Sequence, residues 1–229
     1  MWPGRSGGRS VAATAGFPVD AGANSSKPII GLCGGIGAGK SHVAAILAEL
    51  GCRVIDSDRL SHAILARPEV LAELESWWGP GVRRPDGTPD RRRIGEIVFA
   101  DEAAKRRLES LLYPLIARER AAIIADEQTN SAVKAIVIDS PLLFESNLDR
   151  SCDVVVFVDA EASRRRERLR VNRGWTDAEV ERRERWQLSA DEKRRRADFV
   201  VDNNGSPGAV RPQLADILEA IVRRTQRRA

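Results

Sequence analysis

The chain has 229 residues, 42% hydrophobic and 31% charged, enough apolar material to bury one domain-sized core and too much for global disorder. No run approaches the ~18 apolar residues of a membrane helix, and three scattered cysteines (Cys33, Cys52, Cys152) with only two histidines exclude a disulfide scaffold and a structural zinc site. The net charge is +4, yet residues 163–196 alone hold 13 basic and 7 acidic side chains. Positive charge gathered in one element suits a polyanionic small ligand better than the broad basic face of a nucleic-acid binder.

Residues 1–27 are rich in Gly, Ala and Ser and lack the apolar core of a secretory signal, which predicts a disordered tail ahead of a single domain over 28–229. The cysteines read as small buried apolar residues of a reducing, cytoplasmic compartment. After the tail, short apolar runs alternate with helical periodicity. Strands are predicted over 27–33, 53–55, 135–138, 154–158 and 199–201. Helices are predicted over 41–50, 60–78, 94–99, 103–127 (with Pro114 as a break or kink), 161–173, 177–193 and 210–224, and a Gly/Pro/Asp-rich loop over 79–90. This order implies an α/β fold, a parallel sheet with helices on both faces.

The sharpest signal is GGIGAGKS over 34–41, which matches G-x-x-x-x-G-K-[ST] between a predicted strand and a predicted helix. Glycines let backbone N–H groups converge on phosphate oxygens, and the following helix points its positive end at them. Gly35, Gly37, Ala38, Gly39, Lys40, Ser41 and His42 are therefore the candidate nucleotide-binding residues, with Lys40 neutralising β- and γ-phosphate charge and the Ser41 hydroxyl ligating Mg2+. Several protein classes share such a loop. A GTPase needs N-K-x-D, and its nearest counterpart, DNNG over 202–205, lacks the lysine and the second aspartate. A motor ATPase usually carries a clear acid pair after an apolar strand. Here the strand before Asp139 supplies one carboxylate, equally readable as a group near Mg2+ or as a strand-ending polar residue.

A small-molecule kinase needs an acceptor site beside the γ-phosphate and a basic lid. Asp56 and Asp58 follow the second strand, where ligands of parallel sheets bind, so that one can serve Mg2+ and the other the acceptor hydroxyl. Arg164, Arg165, Arg166, Arg168, Arg170 and Arg173 form the lid candidate.

These residues resemble the dephospho-CoA kinase family. The resemblance runs from about residue 28 to 221 and rests on IGLCGGIGAGKS (30–41), VIDSD (54–58), Asp86-Gly87 with Asp90-Arg91, LYPLI (112–116), PLLFE (141–145) and ADFVVDNNG (197–205), six segments in one order. It implies transfer of the ATP γ-phosphoryl to the ribose 3′-hydroxyl of dephospho-CoA, with Mg2+ held through Ser41 and Asp56. It implies a P-loop core, an acceptor-binding helical part over about 60–130 and a lid over about 161–195. By position, Lys40 binds phosphate, Asp58 is the base, and Arg168 is a lid arginine on the phosphates. Asn203, Asn204 and Gly205 lie beside the adenine, and 141–145 near the acceptor. The expected protein is a cytoplasmic monomer with a small-molecule substrate and no nucleic-acid or membrane partner. His42 stands where the family has Thr, and Tyr113 where it has His. The competing readings are another P-loop kinase, acting on a nucleoside monophosphate or a sugar acid, and a non-catalytic nucleotide-binding regulator.

Overall fold

The structure, a computed structural model, describes residues 27–227, so the predicted tail lies outside the described residues except for Lys27. Lys27 itself is anchored: its backbone N–H donates to Gln128 Oε1 at 2.7 Å and its ammonium to the Glu127 carbonyl at 2.9 Å.

Five parallel strands form the sheet: β1 (Ile29–Gly34), β2 (Cys52–Asp56), β3 (Ala135–Asp139), β4 (Val154–Asp159) and β5 (Phe199–Asp202), in the order β2-β3-β1-β4-β5. Alternation along each strand divides the core in two. Ile30, Leu32, Val137, Val154, Val156 and Val158 face one side, under α1 (Lys40–Glu49) and α9 (Val210–Gln226). Cys33, Ile138, Val155 and Phe157 face the other, with Leu143 and Phe144. Burial pushes the Cys33 and Cys152 thiols up to about 12 and Cys52 to about 11, so all three behave as small apolar side chains.

A third cluster belongs to four helices inserted between β2 and β3: α2 (Ser57–Leu65), α3 (Pro68–Trp78), α4 (Arg91–Ala100) and α5 (Glu102–Thr129). The single helix predicted over 60–78 is two, because Pro68 cannot continue α2 and instead opens α3 at its first position. The loop over 79–90 contains a short 3-10 turn, Pro80–Val82, and a bridge between Arg83 and Pro89. Pro114 does not break α5, which runs unbroken through it; Leu112 is buried and Leu111, Leu115 and Ile116 pack on the same cluster, so tertiary contacts hold the turn that lacks one hydrogen bond.

After β4 come α6 (Ala162–Arg173), α7 (Asp177–Glu184) and α8 (Ala190–Arg196). The helix predicted over 177–193 is thus also two. Ser189 starts α8 afresh by accepting the Glu192 N–H at 3.1 Å. Among the described residues no helix is long and apolar enough to cross a membrane.

Candidate active site

β1 ends at Gly34 and α1 begins at Lys40, so the glycine-rich turn lies at the carboxyl edge of the central strand. The turn closes with Ala38 N–H donating to the Gly35 carbonyl at 3.0 Å. Gly37 and Gly39 have φ of +78° and +88°, and a Cβ on Gly37 would sit 2.7 Å from the Arg165 carbonyl, so both backbone and space demand glycine. No side chain caps α1. Its leading N–H groups are left for an anion, as a phosphate cradle requires.

The loop is braced from behind. Asn203, 4% exposed, donates from Nδ2 to the Ala38 carbonyl at 2.7 Å. Arg168 donates to the same carbonyl at 3.1 Å and to the Asn203 carbonyl at 2.9 Å. Arg165 donates to the Ile36 carbonyl at 3.2 Å and to Glu184 at 2.9 Å, tying the loop to α7. Asn204 accepts the Glu161 N–H at 2.7 Å and donates to Asp202. Sequence reasoning expected Arg168 on the phosphates and both asparagines beside the adenine. In the structure these side chains are engaged with the protein itself, and Arg168 and Asn203 fix the loop. Part of the basic cluster touches the loop directly. α6 lies against the loop, and the ion pairs of Arg166 with Asp177 and of Arg182 and Arg183 with Glu179 take up part of its charge.

At the adjoining strand ends, Asp56 and Asp139 are register partners on β2 and β3. Asp139 is buried and forms an ion pair with Lys40. Burial pushes its carboxyl up, Lys40 opposes this, and the nearby Asp56 and Asp58 charges add to the rise. Asp56 caps α2, accepting the Arg59 N–H at 2.9 Å. Asp58, in the first turn of α2, is exposed. Ser41 and His42 are exposed on the first turn of α1.

The 141–145 segment follows Asp139 and is pinned by a residue that sequence reasoning missed. Lys193 on α8 is fully buried; its ammonium reaches the Pro141 carbonyl at 2.8 Å, Glu145 at 2.9 Å and Gln187 at 3.1 Å. Glu145 also accepts the Leu188 N–H at 2.7 Å. Nothing in the local sequence separates Lys193 from its three neighbouring arginines. Only burial does.

A loop cradle, a lysine and two acidic strand ends define a phosphoryl-transfer site without naming its acceptor. A family model described as "Dephospho-CoA kinase" matches residues 28–208. The chain belongs to the dephospho-CoA kinase family. It is 41% identical over 187 residues to a dephospho-CoA kinase of Symbiobacterium thermophilum, covering 81% of this chain and 78% of the relative. A dephospho-CoA kinase of Anaeromyxobacter dehalogenans is 43% identical over 186 residues, covering 80% and 86%. Among solved structures, the protein TT1252 of Thermus thermophilus superposes with a TM-score of 0.73 at 32% identity, covering 85% of this chain and 98% of that one. The dephospho-CoA kinase of Campylobacter jejuni superposes at 0.59 with 26% identity, covering 85% and 97%. The family's fold is the one described above, and the chain is accordingly a phosphotransferase with a P-loop core.

Proposed function

We propose that this chain transfers the γ-phosphoryl group of ATP to the 3′-hydroxyl of dephospho-CoA, giving coenzyme A and ADP, as a cytoplasmic monomer. The observation that carries the reading is the meeting of a free helix N-terminus, Lys40 and the Asp56/Asp58 pair at one sheet edge, in a chain of this family.

Phosphates docking on the α1 N-terminus draw Lys40 from Asp139 towards the β- and γ-oxygens, where charge grows as the bond to the leaving oxygen stretches. Burial pushes the Asp139 carboxyl up, so losing its partner costs less than it would for a carboxylate held low. Asp58 faces solvent and accepts the hydroxyl proton late in transfer. Among the described residues no cluster of three or more His, Cys, Asp or Glu forms a metal cage. Mg2+ in phosphoryl-transfer sites takes one or two protein oxygens and completes its shell with phosphates and water. Ser41 and Asp56 would hold it, and it would neutralise phosphate charge. Asn203, Asn204 and Gly205 would border the adenine through their backbone, since the asparagine side chains are already engaged. Helices α2 to α5 would bind the acceptor, and α7 with its flanking turns would close over the phosphates.

The test is ADP release with dephospho-CoA and with a panel of nucleoside monophosphates and sugar acids. Turnover with dephospho-CoA alone supports the reading. Turnover only with another acceptor, or ATP binding without turnover, overturns it in favour of a different kinase or a regulator.

A further inference from the structure

Several arginines of the helical part have an acidic partner: Arg67 pairs with Glu119 at 2.5 Å, Arg83 with Glu75 at 2.8 Å and Arg92 with Glu96 at 3.1 Å. Arg59, Arg84 and Arg118, which have no side-chain partner among the described residues, are exposed to water. Arg120 on α5 is different. It is partly buried, and among the described residues it makes no hydrogen bond, ion pair or cation–π contact. Its sequence neighbour Glu119 is committed to Arg67. The group within its electrostatic reach is the Cys152 thiol, which burial keeps neutral and which cannot balance a guanidinium. Burial disfavours the charged form of Arg120, yet arginine does not give up its proton in proteins.

The position is as informative as the missing partner. Residues 108, 111, 112, 115 and 116 of α5 pack on the helical cluster, whereas Ile124 packs on the sheet beneath. Arg120 lies one turn before Ile124 and two turns after the exposed Tyr113, at 4- and 7-residue spacings that place all three on one stripe. Arg120 therefore sits at the seam between the two cores. Long helical side chains lean towards the helix N-terminus, here along the stripe to Tyr113. An unpaired, half-desolvated arginine at such a seam costs stability and binds a bidentate anion well.

We propose that Arg120 is an acceptor-specificity residue that receives the diphosphate of dephospho-CoA while the ribose lies at Asp58. The assignment rests on the proposed acceptor, whose diphosphate is the one part of the molecule carrying permanent charge. Tyr113, further along the stripe, borders the same channel.

The experiment is steady-state kinetics of Arg120→Met and Arg120→Lys with dephospho-CoA and with adenosine, which lacks the diphosphate, together with thermal melts. Arg120→Met should raise KM for dephospho-CoA on the order of 10- to 100-fold, as expected for one lost charge-assisted contact. KM for ATP and kcat/KM for adenosine should change by no more than about twofold, and Tm should stay level or rise, since an unpaired charge has been removed. Arg120→Lys should recover part of the loss. The assignment is overturned if KM for dephospho-CoA is unchanged, if both acceptors suffer equally, or if Arg120→Met melts lower or does not fold, which would make the arginine structural. Failure of the underlying reading would look different: the unsubstituted chain itself would not phosphorylate dephospho-CoA.

Discussion

The two halves of the candidate site are built on opposite principles. On the donor side, every polar side chain behind the phosphate loop has a partner before any nucleotide arrives: Asn203 and Arg168 hold the Ala38 carbonyl, Arg165 the Ile36 carbonyl, and Asp139 holds Lys40. On the acceptor side, Asp58 is exposed and Arg120 has no partner among the described residues. A donor common to many enzymes suits a rigid, preformed cradle. A particular acceptor is recognised by groups whose partners come only with it, which costs the free protein some stability.

The comparison breaks first at Lys40. Lys40→Ala should lower turnover on the order of 10²-fold or more, because it removes the amine that would meet the growing charge on the γ-oxygens. The orphaned Asp139 can take up a proton, so the fold should survive. Near-normal turnover in a folded variant would remove the loop lysine from catalysis.

Asp58 tests the other half. Asp58→Asn should cut turnover on the order of 10²-fold while KM for ATP moves far less. Asp56→Asn is the control. Asparagine caps a helix as well as aspartate does, so α2 should keep its start and the loss should be milder. The reverse ranking in rapid-quench measurements would exchange the two roles.

These contrasts also explain what could be read in advance. The alternation of strands and helices, the glycine turn and the two aspartates follow from periodicity and spacing, because each depends on residues adjacent in the chain, whereas the order of the strands in the sheet does not. The braces do not. Asn203 meets Ala38 across 165 positions, and Lys193 meets Pro141 across 52. No local pattern marks either residue as a brace. The splits at Pro68 and Ser189 were missed because helical apolar spacing continues across each break, so the breaker had to be weighed against the period. Arg120 is the hardest case. Its distinction is the absence of a partner, which only the packed structure reveals.

Asn203→Ala should have a smaller effect than either catalytic change. It removes one of two donors to a buried carbonyl, at a cost of about 1–3 kcal/mol. Arg168 still holds the Ala38 carbonyl, so the loop should loosen without collapsing. We expect a lower Tm and KM for ATP raised roughly 10-fold, with KM for dephospho-CoA unchanged. An equal rise in both constants would mean that the donor brace also orders the acceptor side, and the division between the halves would fail.

The smallest effect, and the finest test of the comparison, is expected at Pro114. This proline sits in the interior of α5, where it cannot donate to the Ser110 carbonyl, and it is exposed, so no packing of its own ring offsets the loss. Proline in a helix interior is ~3 kcal/mol less favourable than alanine in isolated helices, although a helix already adapted to it recovers only part of that. Pro114→Ala should therefore raise stability by about 1 kcal/mol. If the acceptor half trades stability for placement, restoring the missing backbone hydrogen bond beside Tyr113 should also raise KM for dephospho-CoA by roughly two- to fivefold and leave KM for ATP alone. Thermal melts and acceptor titrations of one variant decide it. A gain in Tm with both constants unchanged would make the proline incidental. A loss in Tm would mean that the helix geometry set by the proline packs α5 onto α2 and α4, and that the acceptor half is as tightly determined as the donor half.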